Sequence, residues 1–359
     1  MTPVPRGTAT PLGPLPEVPL AGLEVVRASL PLRRPFVTAH GVERDKQVLL
    51  VRAVDDAGRE GWGECPVLAA PSYTGEWADG AEVVLRRFVV PAAHAGRPSG
   101  VVGHPMAVGA VEAAILQLRL AAAGPGLATW LGAVRTRVPC GVAVGVADSV
   151  DALVDDVAGH VAAGYRRVKL KVRPGWDVEP VAAVRATWPD LALGVDANGS
   201  YELDDLEGPL AAMDRLGVVE IEQPAAADDL LASAAMRAAL DAPVCLDESI
   251  GSAAQLEVAL SLGACDHVNL KPARVGGIRP ALAVHDLALD RGVPLWVGGM
   301  LETGVGKAVA VAFAALPGAV LPGDLPSSAR WFETDLTEPW VVAVDGTMAV
   351  REAGPVRLP

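Results

Sequence analysis

Aromatic residues are scarce in this chain, 4% of 359 residues, and so are histidine (6) and cysteine (4). The cysteines are Cys65, Cys140, Cys245 and Cys265, and no two are spaced as CxxC. That excludes a zinc ribbon and a disulfide framework and leaves free thiols in a reducing compartment as the expectation. Positive charge is short as well. There are 43 acidic against 30 basic residues, a net −13, which repels phosphate backbones and anionic lipid and argues against nucleic-acid or membrane partners. No stretch of about 18 residues is apolar throughout and free of Gly, Pro and charge, so no membrane span is expected. The opening MTPVPRGTATPLGPLPEVPL has six prolines but no cationic head or apolar block of a secretory signal. Residues 1–21 read as a flexible, proline-rich leader on a cytoplasmic protein. Small and apolar residues are what the chain has in quantity, 51% hydrophobic with 38 glycines. That suffices for a sizeable core, arranged as one large and one small domain.

Residues 22–135 read as an α+β unit. LEVVRASLPL, KQVLLVRAVDD and EGWGEC have strand texture, with Asp56-Ala57-Gly58 turning between the last two. Helical periodicity follows over 77–90 and 107–123. Two stretches, 33–46 and 66–77, are rich in loop formers and longer than a hairpin needs, which makes them candidate binding loops. Over 136–321 the runs VPCGVAVGV, YRRVKLKV, LALGVDAN, GVVEIEQP, APVCLDES, DHVNLKP and VPLWVGG alternate with amphipathic stretches. Seven such runs imply parallel βαβ units at a spacing that closes an α/β barrel. A doubly wound sheet would want GxGxxG after its first strand, and VPCGVAVGV lacks it. The tail, 322–359, loses the repeat and is expected to pack back on the N-terminal unit.

The unusual polar residues fall in rhythm. Lys171, Asp196, Glu222, Asp247 and Lys271 each end a predicted strand, at intervals of 25, 26, 25 and 24 residues. The C-terminal strand ends of a barrel share one mouth, so five charged groups converge there. Three carboxylates aimed at one point cannot all stay ionised without a cation. Oxygen donors with no His or Cys favour Mg²⁺, or Mn²⁺ as a substitute. Glu220, about 7 Å deeper on the face of Glu222, and Glu248, which strand parity turns away from the mouth, stay open as alternative ligands. Asn198 and Gln223 are supporting donors. Lys169 shares the inward face of Lys171, and a buried lysine beside another cation gives up its proton more readily. A metal flanked by lysines suits removal of a proton α to a carboxylate. His267 has the parity of Lys271 but lies roughly 13 Å deeper, as a core histidine.

Together VKLKVRPGWD, VDAN, IEQP, CLDES, NLKPARVGG and WVGGMLETGVGKA resemble the enolase superfamily in its muconate-lactonising subgroup. NLKPARVGG and GGMLETGVG are most similar to the branch of o-succinylbenzoate synthases and N-succinylamino acid (N-acylamino acid) racemases. The resemblance spans nearly all of residues 22–350, with GWGEC and PGDLPSS included. It implies a modified (β/α)7β TIM-like barrel under an N-terminal α+β capping domain. It also implies metal ligation by Asp196, Glu222 and Asp247, an acid/base Lys171 assisted by Lys169, and Lys271 on the opposite face. Substrate contacts are expected from Asn198, Arg274, Gly299 and Met300, with His40 and Tyr73 closing from the capping loops. The implied activity is Mg²⁺-dependent syn dehydration to o-succinylbenzoate in menaquinone biosynthesis. Racemisation of N-succinyl- or N-acylamino acids is the alternative in the same pocket, Arg274 marking racemase-competent members. A non-catalytic binding protein on the same scaffold is a remote third reading. The expected partner is a small-molecule carboxylate, and a homo-oligomer is compatible with all three. Two departures stand out: Ala143 where serine is common, which removes an expected substrate hydrogen bond, and Ala329 where aspartate is common. PLWVGGM lacks the histidine of mandelate-racemase relatives, and AVLPGD lacks the DxD of dipeptide epimerases.

Overall fold

Three antiparallel strands, β1 (Gly22–Thr38), β2 (Gly41–Val54) and β3 (Glu60–Cys65), form the N-terminal sheet of this computed structural model, which describes residues 13–38 and 41–359. The central run VLLV of β2 is apolar on both faces because both are covered. Leu49 and Val51 pack under helices, whereas Val48 and Leu50 pack against Leu30, Phe332 and Leu336. Residues 33–46, expected as a loop, are mostly strand: β1 and β2 continue as one long hairpin, with Phe36 opposite Glu43 and Val37 opposite Val42. Prolines suggested a loop, but β1 is an edge strand, where a missing donor is tolerated.

Helices α1 (Ala78–Val84), α2 (Val90–His94), α3 (Pro105–Ala123) and α4 (Leu127–Leu131) complete the unit. By length and composition α3 could cross a membrane (mean hydropathy 1.5), but half of that window is buried inside the protein. It lies very close to β3: a Cβ at Gly63 would stand 2.0 Å from the Ala110 carbonyl oxygen, and one at Gly61 2.1 Å from that of Ala114. Glycine is therefore required at both places. Part of the proline-rich start is seated rather than flexible. Leu15 packs on the barrel core, Val18 and Leu20 pack on the capping core, and Glu17 pairs with Arg119 at 2.6 Å. Its prolines rule out regular structure without preventing apolar burial. Residues 1–12 lie outside the described residues.

The second unit begins with β4 (Arg137–Val144). Seven helix–strand repeats follow: α5 (Val150–Ala162) and β5 (Arg167–Lys171), α6 (Val178–Thr187) and β6 (Ala192–Asp196), α7 (Ala211–Arg215) and β7 (Ile221–Glu222), α8 (Leu230–Ala239) and β8 (Val244–Leu246), α9 (Ala253–Ser261) and β9 (His267–Leu270), α10 (Ile278–Asp290) and β10 (Leu295–Val297), and α11 (Gly304–Ala314) and β11 (Gly323–Asp324). Neighbouring strands pair in parallel from β4 to β10, and β11 returns to β4. A bridge between Leu295 and Ala319 narrows the remaining gap. The fold is thus a nearly closed (β/α)7β barrel. Its eighth strand lies beyond residue 321, where the sequence pattern had ended the barrel, because Gly323–Asp324 carries no apolar residue. Side chains of Ser149, Asp177, Asp229, Ser252 and Thr303 cap α5, α6, α8, α9 and α11, each worth roughly 1 kcal/mol. After β11 the tail adds β12 (Thr347–Ala349), antiparallel to β4, and lays Phe332 and Leu336 on the capping sheet.

Candidate active site

Strand order fixes the site before any side chain is considered. β5 and β9 are the second and sixth of eight strands, so Lys171 and Lys271 stand on opposite walls of the mouth. The third, fourth and fifth strands bring Asp196, Glu222 and Asp247 between them. All three carboxylates are buried, with relative exposures of 1%, 0% and 0%. Lys171 Nζ donates to Asp196 Oδ2 and Asn198 Oδ1, both at 2.7 Å. Lys271 Nζ donates to Asp247 Oδ2 at 2.6 Å and to the Tyr73 hydroxyl at 2.8 Å. Lys169 Nζ lies 3.2 Å from Asp196 Oδ2, also donates to Glu222, and reaches Asp324 Oδ2 at 2.7 Å.

The electrostatics follow from that interleaving. Burial opposes ionisation of Asp196, but Lys171 and Lys169 outweigh it and hold the carboxyl well below its usual range. Burial likewise opposes the charge on Asp247, where Arg274 and Lys271 prevail. Glu222 goes the other way: burial, then Asp196, push its carboxyl far up despite Lys169. Burial pulls Lys271 down, yet Asp247 and Tyr73 raise its ammonium above the ordinary value, and Lys169 is raised in the same manner by Asp324 and Glu222. The expectation that a neighbouring cation depresses Lys169 is therefore not met, because carboxylates surround it.

Local backbone supports the mouth. Asn198, Gln223 and Leu301 adopt positive φ of 44°, 40° and 57°, conformations that cost on the order of 1–3 kcal/mol each and are kept where surroundings impose them. The Gln223 side-chain oxygen Oε1 accepts from the backbone N–H groups of Asp247 and Ser249 at 3.1 and 3.2 Å, which locks the turn carrying Asp247. Asn269 Nδ2 donates to Glu222 at 2.8 Å. One layer deeper, Glu220 is tied to Arg167 and to His267 at 3.1 Å. It serves the barrel interior, as does His267.

Lys169, Lys171, Asp196, Asn198, Lys271, Gly299, Met300 and Tyr73 all border one cavity of about 1360 Å³. Arg274 does not: its Nη2 is turned to Asp247 Oδ1 at 3.0 Å and the Ile250 carbonyl at 3.2 Å, so it holds that carboxylate from behind. Glu248, expected to point away, accepts from Asn198 Nδ2 at 2.9 Å. Parity fails there because β8 has already ended at Leu246. His40 lies outside the described residues. Sequence reasoning weighed Asp324 only as the single aspartate of AVLPGD, against a DxD motif, and gave it no place at the mouth, although the same rhythm runs on past Lys271 through Gly298 to Asp324, at steps of 27 and 26.

Among the described residues no three His, Cys, Asp or Glu side chains stand together as a ligand cluster; Lys169 bridges two of the carboxylates instead. The donor set nevertheless suits a hard divalent ion. It has three buried carboxylates, and one of them, Glu222, is pushed toward its protonated form by burial and by the neighbouring Asp196.

A (β/α)7β barrel with this mouth, under an α+β cap, defines a class. Residues 152–355 match the family described as Enolase C-terminal domain-like, and the chain belongs to it. Within the enolase superfamily it is 46% identical to the N-succinylamino acid racemase of an Amycolatopsis species, over 90% of each chain. It is 39% identical to the o-succinylbenzoate synthase of Geobacillus kaustophilus, over 90% of this chain and 88% of that one. A solved enolase-superfamily structure from Listeria innocua superposes with a TM-score of 0.87 at 34% identity, covering 94% of both chains. The homologues are enzymes of two kinds, a dehydratase and a racemase, and both activities fit this barrel.

Proposed function

We propose that this protein removes the proton α to a carboxylate and uses the resulting enediolate in two ways, in syn dehydration to o-succinylbenzoate and in racemisation of N-succinylamino acids. The observation that carries the reading is the pair of lysines on opposite walls, each held by its own carboxylate on either side of Glu222. Lys171 removes the α-proton from one face. In dehydration the same ammonium returns its proton to the departing hydroxyl, since syn elimination needs only one face. In racemisation Lys271 delivers a proton to the other face. Lys169 stays ionised between Asp196, Glu222 and Asp324 and stabilises the carboxylate end of the substrate. Mg²⁺, or Mn²⁺, held by Asp196, Glu222 and Asp247 would supply countercharge for the negative charge that develops on the substrate carboxylate. Tyr73, from the cap, and Met300, from the loop after β10, close the cavity and exclude water. Menaquinone biosynthesis in the cytoplasm is the setting in which the dehydration belongs.

The test is to supply one preparation, with Mg²⁺, both with the cyclohexadiene precursor of o-succinylbenzoate and with each enantiomer of an N-succinylamino acid in D₂O. Dehydration together with α-deuteration of both enantiomers is expected. No α-exchange on any substrate would defeat the proposal and favour a binding protein.

A further inference from the structure

Four carboxylates at the lysine end of the cavity each meet an ammonium. Asp196 meets Lys171 at 2.7 Å, Asp247 meets Lys271 at 2.6 Å, Asp324 meets Lys169 at 2.7 Å, and Glu222 also meets Lys169. Glu248 is the exception. Its Oε1 accepts from Asn198 Nδ2 at 2.9 Å, and its Oε2 is buried with no hydrogen-bond partner among the described residues. It does not border the cavity, so it does not touch substrate. Burying a carboxylate oxygen is costly, and neither the metal ligands nor the proton-transfer groups include this one.

Its one partner matters because of what lies on that partner's other side. Asn198 Oδ1 accepts from Lys171 Nζ at 2.7 Å. An ammonium donates and a carboxylate accepts, so the two neighbours agree on one orientation of the amide: carbonyl toward Lys171, nitrogen toward Glu248. A turned amide would set donor against donor at the ammonium. Against the neutral amine it would donate into the lone pair that must take the α-proton. The bond spans β7, since Asn198 follows β6 and Glu248 follows β8. Both ends are held independently of it. Asn198 N donates to Asp196 Oδ1 at 3.0 Å, and Gln223 Oε1 accepts from the backbone on either side of Glu248. The Glu248 side chain is therefore not needed to form its own turn. Lys271, on the other wall, has no such relay: its contacts are Asp247 and the Tyr73 hydroxyl.

We propose that Glu248 is a positioning residue for Lys171 alone: through Asn198 it fixes which end of the amide Lys171 meets and keeps that base aimed at one face of the α-carbon. The inference rests on the function proposed above and deepens it, since the two faces of the pocket then differ in what holds their bases. Misplacing a reacting group by about 1 Å can cost about 10²-fold in rate, so a loosened amide should be felt in kcat.

The test is α-proton exchange in D₂O at saturating Mg²⁺, for each enantiomer of an N-succinylamino acid, in wild type and Glu248→Gln. That substitution is isosteric and meets the Asn198 amide in either orientation. The enantiomer that Lys171→Ala no longer exchanges reports the Lys171 face. In Glu248→Gln its exchange, and dehydration with it, should fall about tenfold in kcat with KM little changed. The other enantiomer should exchange near the wild-type rate, which shows fold and metal site intact in the same sample. Adding Asn198→Asp restores the match with its ends exchanged: the amide at position 248 donates to the carboxylate at position 198, which still accepts from Lys171. Recovery of the Lys171 face in this double variant, against a loss in Asn198→Asp alone, is the non-additive signature of a direct pair. Two enantiomers slowed equally, or losses that add, would make Glu248 a through-space charge or a support for Asp247, and the proposal would be wrong. Wild type that exchanges neither enantiomer would bring down the enolisation reading and this inference with it. Wild type that exchanges both, with Glu248→Gln unchanged, would overturn this inference alone.

Discussion

Replacing Lys271 by Ala separates two reactions that share every other group. The ammonium lies 2.6 Å from Asp247 and 2.8 Å from the Tyr73 hydroxyl, on the wall opposite Lys171. Its removal does not strand Asp247, which keeps Arg274 at 3.0 Å, so the fold should survive and loss of activity can be read as chemistry. Racemisation requires proton transfer at both faces and should disappear. Dehydration requires only Lys171, and the loss of one positive group beside the developing charge should slow it by about 10²–10³, or roughly 2.7–4 kcal/mol. The decisive assay is NMR of α-proton exchange in D₂O for each enantiomer of an N-succinylamino acid. In Lys271→Ala one enantiomer should still exchange without inverting, and in Lys171→Ala the other should. Racemisation at a near-wild-type rate by Lys271→Ala would show that this lysine is not the second base, and the two-wall argument would fall.

Further expectations concern the carboxylates, the cap and pH. Asp196→Asn, Glu222→Gln and Asp247→Asn should each abolish turnover and weaken calorimetric Mg²⁺ binding while circular dichroism stays native; an ion refined at Glu220 or Glu248 instead would overturn the assignment. Tyr73→Phe removes a hydroxyl bonded to Lys271 and should shift KM, or the ratio of the two activities, by about tenfold; unchanged kinetics would remove the cap from recognition. Glu64, in β3, accepts from Thr303 N, Thr303 Oγ1 and Gly306 N at 2.9, 2.7 and 2.9 Å and so ties the cap to α11, while burial pushes its carboxyl up to about 7. A raised carboxyl favours the folded state fully below its unfolded value near 4.5 and loses that contribution as pH rises through 7, on the order of 3 kcal/mol. Thermal midpoints of wild type should therefore fall relative to Glu64→Gln between those pH values, and parallel curves would contradict this.

The barrel was readable because parallel strands buried on both sides leave continuous apolar runs, and because one βα unit has a nearly constant length. That is why Lys171, Asp196, Glu222, Asp247 and Lys271 could be placed at one mouth by counting. Counting failed where a strand end carries no apolar run of its own. β11 is Gly323–Asp324, so Asp324 was given no place at the mouth although it touches Lys169. Parity also stops where a strand stops, which is how Glu248 came to face Asn198. In the cap, proline and arginine suggested a loop where an edge hairpin runs, since composition does not tell an unpaired segment from a strand with one free edge.

Side-chain partnership was the least legible layer, and the arginines show why. Arg167, Arg274 and Arg330 look alike in sequence, each beside small or apolar residues. Their roles diverge only through groups brought from remote parts of the chain: Glu220 and Asp324 for the first, Asp247 for the second, and the Ala143 carbonyl with His160 for the third. A spacing rule finds groups that share a strand end. It cannot find which remote carboxylate, carbonyl or ring holds a given guanidinium, because that is visible only when all neighbours are in place. The same logic separates the two halves of the cavity. At the lysine end positive and negative groups interleave and hold one another in set ionisation states, as chemistry at a fixed carbon requires. At the Arg330 end the guanidinium is held by the Ala143 carbonyl and His160, and among the described residues no carboxylate stands within ion-pair distance of it.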